Sequence, residues 1–418
     1  MLKKLVTQYQ QTLGPGLMFA AVAVGVSHLV QSTRAGANYG LTLSLLIVFT
    51  CLIKYPAFRF GSDYATASGK SLLRAYKHQG RFTQFIFLLG FPLDMFVASA
   101  AVVLVTTGVF KNVLNVSVGD VQLSFIILVC AAGLLISGRY RLVENVVKLI
   151  VVLFSVLTLV AASLTVPELN WQSNDLTGEI VFDTKTYLFM IAIAGWMPTG
   201  VSVSVYQSFW VCEKAKSVNQ SLKLKDTQFD FNLGYFGTII LALCFVLMGT
   251  AFIYNAGIET SPSPSGFAAQ LIDMFTQVIG EWARLLIAIA ALAVMISTVI
   301  ANLDACPRVA TAVVHDLLPA SRKLKVNFQT IFTIVQILGA SLILVLFLKS
   351  FKTFIDFATS VAFVTAPLLA TFNHRAMYSD EVPPDQRPGK IMQIWSLAGI
   401  VVMFSVAVFY GYLSFFQS

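Results

Sequence analysis

Eleven stretches of this chain are apolar for about 20 residues each, the length an α-helix needs to cross the hydrocarbon of a bilayer. They run roughly over 14–38, 41–60, 83–110, 121–138, 145–166, 186–211, 232–254, 282–303, 328–349, 354–373 and 392–414. In hydrocarbon, backbone N–H and C=O groups must be satisfied within the protein, so consecutive apolar runs become helices. The fold class that follows is an all-α integral membrane protein. Charged residues make up 11% and apolar residues 57% of the chain, whereas a soluble domain carries roughly 25% charged residues. The net charge of +8 sits in short loops between the apolar runs. That is the positive-inside pattern, not a basic face for nucleic acid.

Lys3, Lys4, Arg59, Lys70, Arg74, Lys77, Arg81, Arg139, Arg141, Lys214, Lys216, Arg308, Arg322, Arg375 and Arg387 cluster on one side of the alternating spans; Arg34, Lys111, Lys185, Arg284, Lys349 and Lys352 fall on the other. This bias puts the N-terminus in the cytoplasm and the C-terminus outside, in a multi-pass protein of the cell inner (plasma) membrane. MLKKLVTQYQQTLGPG lacks a small-residue cleavage site, so no cleavable signal peptide is expected. Cys51, Cys130, Cys212, Cys244 and Cys306 show no metal spacing, and no disulfide is expected.

Two spans are interrupted. In the first, Gly25, Val26, Ser27 and His28 break an apolar run. In the sixth, IAIAGWMPTGVSVSVYQSFW, Gly195, Pro198 and Gly200 crowd the middle. Paired interruptions in two halves of a transporter mark its binding site. Five spans separate their starts, so the second runs opposite to the first. This topology reads as inverted five-span repeats, 1–166 for spans 1 to 5 and 167–380 for spans 6 to 10, with 381–418 holding span 11 and the tail.

The GPG at Gly14, the AGANYG ending at Gly40, the Met197–Pro198 pair and SGRYRLVE at Ser137 to Glu144 resemble the Nramp divalent-metal transporters in order and spacing. The resemblance spans nearly the whole chain and implies a LeuT-type fold with broken helices 1 and 6. It also shows departures. The family's Asp-Pro-Gly-Asn falls on Gly25, Val26, Ser27 and His28, and its Met-Pro-His-Asn on Met197, Pro198, Thr199 and Gly200. A later family histidine falls on Ser204, and a tenth-span glutamine near Thr359. In the third span Asp94 keeps the family aspartate, while Val97 replaces its glutamate. The resemblance therefore implies the fold without most of the metal ligands.

The expected substrate site is Gly25, Val26, Ser27, His28, Met197, Pro198, Thr199, Gly200, Val201, Ser202 and Thr359. A divalent cation wants carboxylates, imidazoles or retained waters. These residues offer one imidazole, one thioether and hydroxyls, so no metal site is expected. A small anion suits them better, because half-helix N-termini present free N–H groups and positive dipole ends. Bicarbonate leads, since it accepts several bonds and donates one. Partly hydrated Mg²⁺ or Mn²⁺ is the alternative substrate, and a transport-inactive binding or sensor protein the alternative class. No cofactor is expected. Coupling would use Na⁺ at Ser297 and Thr298, which the resemblance puts at a LeuT-type sodium site, or H⁺ at Asp94. Asp94 also reads as a structural partner for a hydroxyl, Arg34 as an outer-interface anchor, and Asp304 as a local partner of Arg308. No enzyme constellation is present, and the chain is expected to work as a monomer with an inorganic ion and the bilayer as its partners.

Overall fold

The computed structural model describes residues 14–137, 140–169, 171, 176–178, 180–348 and 350–416, with the side chains of 140–151 left aside. Lys3, Lys4, Lys349 and the Gly138–Arg139 pair of the SGRYRLVE stretch lie outside the described residues.

Each of the eleven apolar stretches is helical. Span 1 is Pro15–Ala23 (1a) and Ser27–Tyr39 (1b), bent by 46°. Spans 2 to 5 are Ser44–Ser68, Arg81–Leu114, Asp120–Ile136 and Tyr140–Thr165. Span 6 is Thr184–Trp196 (6a) and Val203–Val218 (6b). Spans 7 to 11 are Leu224–Tyr254, Arg284–Leu317, Phe328–Phe347, Phe351–Met377 and Lys390–Phe416. Among the described residues, seven helices are long and apolar enough to cross a bilayer alone, and the bent span 1 makes an eighth. Span 4 is shorter, at 17 residues, and span 6 is broken. Leu72–His78 and Pro264–Ile279 are additional connecting helices.

The outward surface is a belt of exposed Leu, Ile, Val and Phe, among them Leu45, Phe82, Ile391 and Val401, which suits lipid rather than water. Inside, 6a packs on span 10, 1a on span 7, 6b on span 2 and span 8 on span 3. Aromatic rings fill the 1a–2–7 corner: Phe19 meets Phe58, Phe231 and Tyr235 at 5.3, 5.6 and 5.6 Å between centroids. The opening GPG has a local reason. Pro15 starts the helix, and the Asp230 carboxylate of span 7 accepts from Gly14 N at 3.2 Å and Gly16 N at 2.6 Å. A carboxylate there satisfies orphan donors and complements the positive helix end.

Close backbone contact seats the last turn of 6a on span 10. A Cβ on Gly195 would lie 1.8 Å from Thr359 O on span 10. Lipid gives helices no hydrophobic reason to associate, so small residues at such contacts carry the packing. Gly195→Ala is therefore expected to destabilise by at least the ~1–3 kcal/mol typical of overpacking, read as a lower melting temperature in detergent. Gly133→Ala should leave the melt unchanged or slightly raised, since nothing lies within 4 Å of a Cβ there.

Candidate functional site

The two breaks touch. Ser27 Oγ lies 3.1 Å from Pro198 O, 2.7 Å from Ala23 O and 2.8 Å from His28 Nδ1. Its single proton serves one of them at a time. His28 Nε2 donates to Thr238 O of span 7 at 2.9 Å, so this fully buried ring is held on both sides by the protein.

A broken helix leaves one positive and one negative end facing the break. Here protein donors cap both negative ends. At the end of 1a, Thr298 Oγ1 of span 8 lies 3.1 Å from both Ala21 O and Val294 O, and Ala23 O accepts from Gly25 N at 2.8 Å beside Ser27 Oγ at 2.7 Å. At the end of 6a, Lys54 Nζ of span 2 lies 2.6, 2.8, 3.1 and 3.3 Å from the carbonyl oxygens of Ala194, Gly195, Met197 and Thr199. The positive ends are left open. The first closed turns of 6b are Val203 N to Gly200 O, Ser204 N to Val201 O and Val205 N to Ser202 O. The N–H groups of Gly200, Val201 and Ser202 thus precede any intrahelical acceptor.

These ends border a cavity of ≈ 40 Å³ lined by Val26, Ser27, Trp196, Thr199, Gly200 and Ser202 from the breaks. Asp94, Tyr206, Thr298 and Asn302 complete its polar lining. That volume holds about three waters or one ion of a few heavy atoms. Asp94 opens a π-helical turn, Asp94–Ala98, in span 3, a local irregularity common at functional sites. Its Oδ2 accepts from Tyr206 Oη at 2.5 Å, and Tyr206 also meets Cys306 Sγ at 3.2 Å. Asn302 Oδ1 accepts from Ser99 Oγ at 2.6 Å and Gln336 Nε2 at 2.7 Å. A larger cavity of ≈ 300 Å³ between spans 1, 5, 7 and 8 is lined mostly by aliphatic side chains, with Ser155, Thr238 and Ser297 its polar residues and no charged one.

Beyond the break, 1b is tied to span 10 by a charged layer. Arg34 of 1b grips Asp356 of span 10 with two bonds, Nη1–Oδ1 at 2.7 Å and Nη2–Oδ2 at 2.9 Å. Gln31 links this pair inward, accepting from Arg34 at 2.9 Å and donating to Asp356 at 3.0 Å and to Thr359 Oγ1 at 3.2 Å. Arg34 is 5% exposed and stacks 4.8 Å over Phe189. It is not the interface anchor expected from sequence, because its partner lies 322 residues away and no local pattern announces it.

Of the sequence-predicted residues, Val26, Ser27, Thr199, Gly200, Ser202, Asp94 and Thr298 come together at the small cavity. Gly25 is just behind it, its would-be Cβ 3.2 Å from Thr298 Cγ2. His28, Met197, Pro198 and Val201 pack behind the breaks, and Met197 Sδ lies 3.9 Å from Ser32 Oγ. Thr359 belongs to the charged layer, and Ser297 lines the large apolar cavity while bonding Val294 O at 2.9 Å. Asp304 does pair with Arg308, at 2.7 Å. Sequence reasoning missed Lys54, Gln31, Tyr206, Asn302 and Asp356. Lys54 had a signal: it interrupts LLIVFTCLIKYPAFRF, and an ionisable residue inside a span is a functional candidate by default. Among the described residues, no group of three or more His, Cys, Asp or Glu side chains is arranged to hold a metal ion.

The model of the family described as natural resistance-associated macrophage protein-like matches residues 16–412. An uncharacterized protein of Pasteurella multocida (strain Pm70) is 32% identical over 402 residues, 95% of this chain and 91% of that one. Among solved structures, a variant of the Eremococcus coleocola manganese transporter superposes with a TM-score of 0.70 at 12% identity, covering 97% of this chain and 86% of its own. MhsT in complex with L-phenylalanine gives 0.60 at 15% identity over 94% and 98%, and the nucleobase-cation-symport-1 family transporter Mhp1 gives 0.56 at 12% over 97% and 94%. These likenesses establish the LeuT-type fold of two inverted five-span repeats plus one span. With its broken first and sixth spans and the family match running across nearly its whole length, the chain belongs to the natural resistance-associated macrophage protein (Nramp) family of secondary transporters.

Proposed function

We propose that this Nramp-family transporter carries a small oxyanion, best matched by bicarbonate, by alternating access. The observation that carries the reading is the polarity of the two breaks. Both negative half-helix ends are capped from within the protein by Lys54, Ser27 and Thr298, while the positive ends and the Thr199 and Ser202 hydroxyls border the small cavity. An ion of four heavy atoms suits ≈ 40 Å³. The Arg34–Asp356 layer closes one side, so release requires that layer or the opposite side to open in turn. In this reading the N-terminus is cytoplasmic and the C-terminus external, supported by the basic bias of the loops.

Asp94 is the one feature that favours a second reading. A carboxylate and the Asn302 carbonyl at the cavity would suit a hydrated divalent ion such as Mg²⁺, which keeps most of its waters. In the anion reading Asp94 carries the coupling proton instead: protonated, it no longer repels the substrate. Proton coupling is better supported than sodium coupling, because the Thr298 hydroxyl bonds Ala21 O directly and Ser297 lines the other cavity.

Uptake of radiolabelled bicarbonate, Mn²⁺ and Mg²⁺ into proteoliposomes tests the charge. Gly25→Asp and Gly25→Asn have nearly the same shape and crowd Thr298 alike, and the amide lacks the negative charge. At effective ε of about 20 and about 5 Å, the added carboxylate opposes an anion by roughly 3 kcal/mol, about a hundredfold in affinity. Bicarbonate uptake is expected to fall by that factor in Gly25→Asp relative to Gly25→Asn. Equal bicarbonate uptake in the two, or Mg²⁺ uptake that rises in Gly25→Asp, would sink the anion reading.

Coupling has its own test. Asp94→Asn keeps the shape and loses the proton site. Uptake driven by an inward proton gradient should drop to the level seen without the gradient, while bicarbonate exchange at equal pH persists. Gradient-driven uptake that survives the change rules out Asp94 as the carrier.

A further inference from the structure

Lys54 is fully buried, and no carboxylate pairs with it among the described residues. Its Nζ meets only acceptors: the carbonyl oxygens of Ala194, Gly195, Met197 and Thr199, all within 3.3 Å. An ammonium has three N–H donors to share among them. A neutral amine would have two, and would turn its lone pair on a carbonyl. The Phe363 ring, 5.9 Å from Nζ, adds a weakly favourable face for a cation. Ala194 and Gly195 belong to the last turn of 6a and Met197 and Thr199 to the unwound stretch that follows it. Unwound carbonyls at half-helix C-terminal ends are what transporters of this architecture use to coordinate a dissolved cation.

We propose that Lys54 is a tethered cation. Its ammonium fills the carbonyl site at the end of 6a that would otherwise accept a dissolved ion, and thereby sets the broken-helix site against cations. It acts through the backbone of 6a rather than by touching substrate, so it is a positioning and specificity-determining residue. The specificity half of this proposal rests on the oxyanion reading; the occupancy half does not. Removing the ammonium leaves four buried carbonyls without a donor, which the interior does not tolerate cheaply.

The test is a set of detergent melts with no substrate present. Lys54→Met keeps the apolar stem, one atom shorter, but not the donors. Lys54→Ala leaves a space that n-propylammonium matches atom for atom. Both variants should melt well below the unmodified protein. Propylammonium chloride, compared with sodium chloride at equal ionic strength, should raise the melt of Lys54→Ala by several degrees, and leave the unmodified protein and Lys54→Met unmoved. If Lys54→Ala cannot be purified in ordinary buffer, its recovery when the amine is present during extraction counts as the same rescue. A Lys54→Met protein as stable as the unmodified one, or a Lys54→Ala protein that propylammonium neither stabilises nor recovers, overturns the proposal. Bicarbonate uptake separates the two readings. Amine rescue with no uptake by the unmodified protein leaves the tethered cation standing and removes the oxyanion; uptake with flat melts does the reverse.

Discussion

Everything at the centre of this molecule depends on unwinding two helices inside a membrane and then finding partners for the freed backbone. Hydrocarbon offers none, so each unpaired carbonyl or N–H must meet a side chain, another helix or a ligand. The chain meets the carbonyls itself. Lys54 shares its three donors among four of them at the end of 6a, and Gly25 N, Ser27 and Thr298 meet Ala23 and Ala21 at the end of 1a. The N–H ends remain for the cavity. It is this division of partners on which the proposed oxyanion reading rests.

The surrounding packing holds that arrangement in register. Gly195 lets 6a press its backbone on Thr359, and the same threonine takes a bond from Gln31 below the Arg34–Asp356 pair. Asn373 of span 10 donates to Ala57 O on span 2 and to Ser204 Oγ on 6b, both at 2.8 Å. Span 10 therefore contacts 1b near its first residues and 6b near its last. A movement that opens the charged layer and one that loosens 6b share this element. A shared element of that kind suits alternating access, in which opening one side must keep the other closed.

Much of this was legible in the residues. Apolar runs predicted all eleven helices, and Gly25 to His28 and Met197 to Gly200 predicted the breaks and their meeting. The side chains behind the breaks were harder to place. His28 looked like a ligand because it occupies a binding position in the family, yet its ring is spent on Ser27 and Thr238. His28 lies in a π-helical stretch, Ser27–Ser32, at the start of 1b, and the ordinary helix period cannot say which face of such a stretch meets the cavity. Arg34 and Asp356 form their pair across 322 residues, a relation no local pattern encodes. Lys54 was legible in principle, as an ammonium amid Cys51, Leu52 and Ile53; its four acceptors, 140 to 145 residues away, were not.

The most direct measurement is equilibrium binding by scintillation proximity, with radiolabelled bicarbonate and radiolabelled Mn²⁺ presented separately to the purified protein. A site with open positive ends and capped negative ends predicts saturable bicarbonate binding that excess Mn²⁺ does not displace, and no saturable Mn²⁺ signal. Saturable Mn²⁺ binding with none for bicarbonate would contradict it.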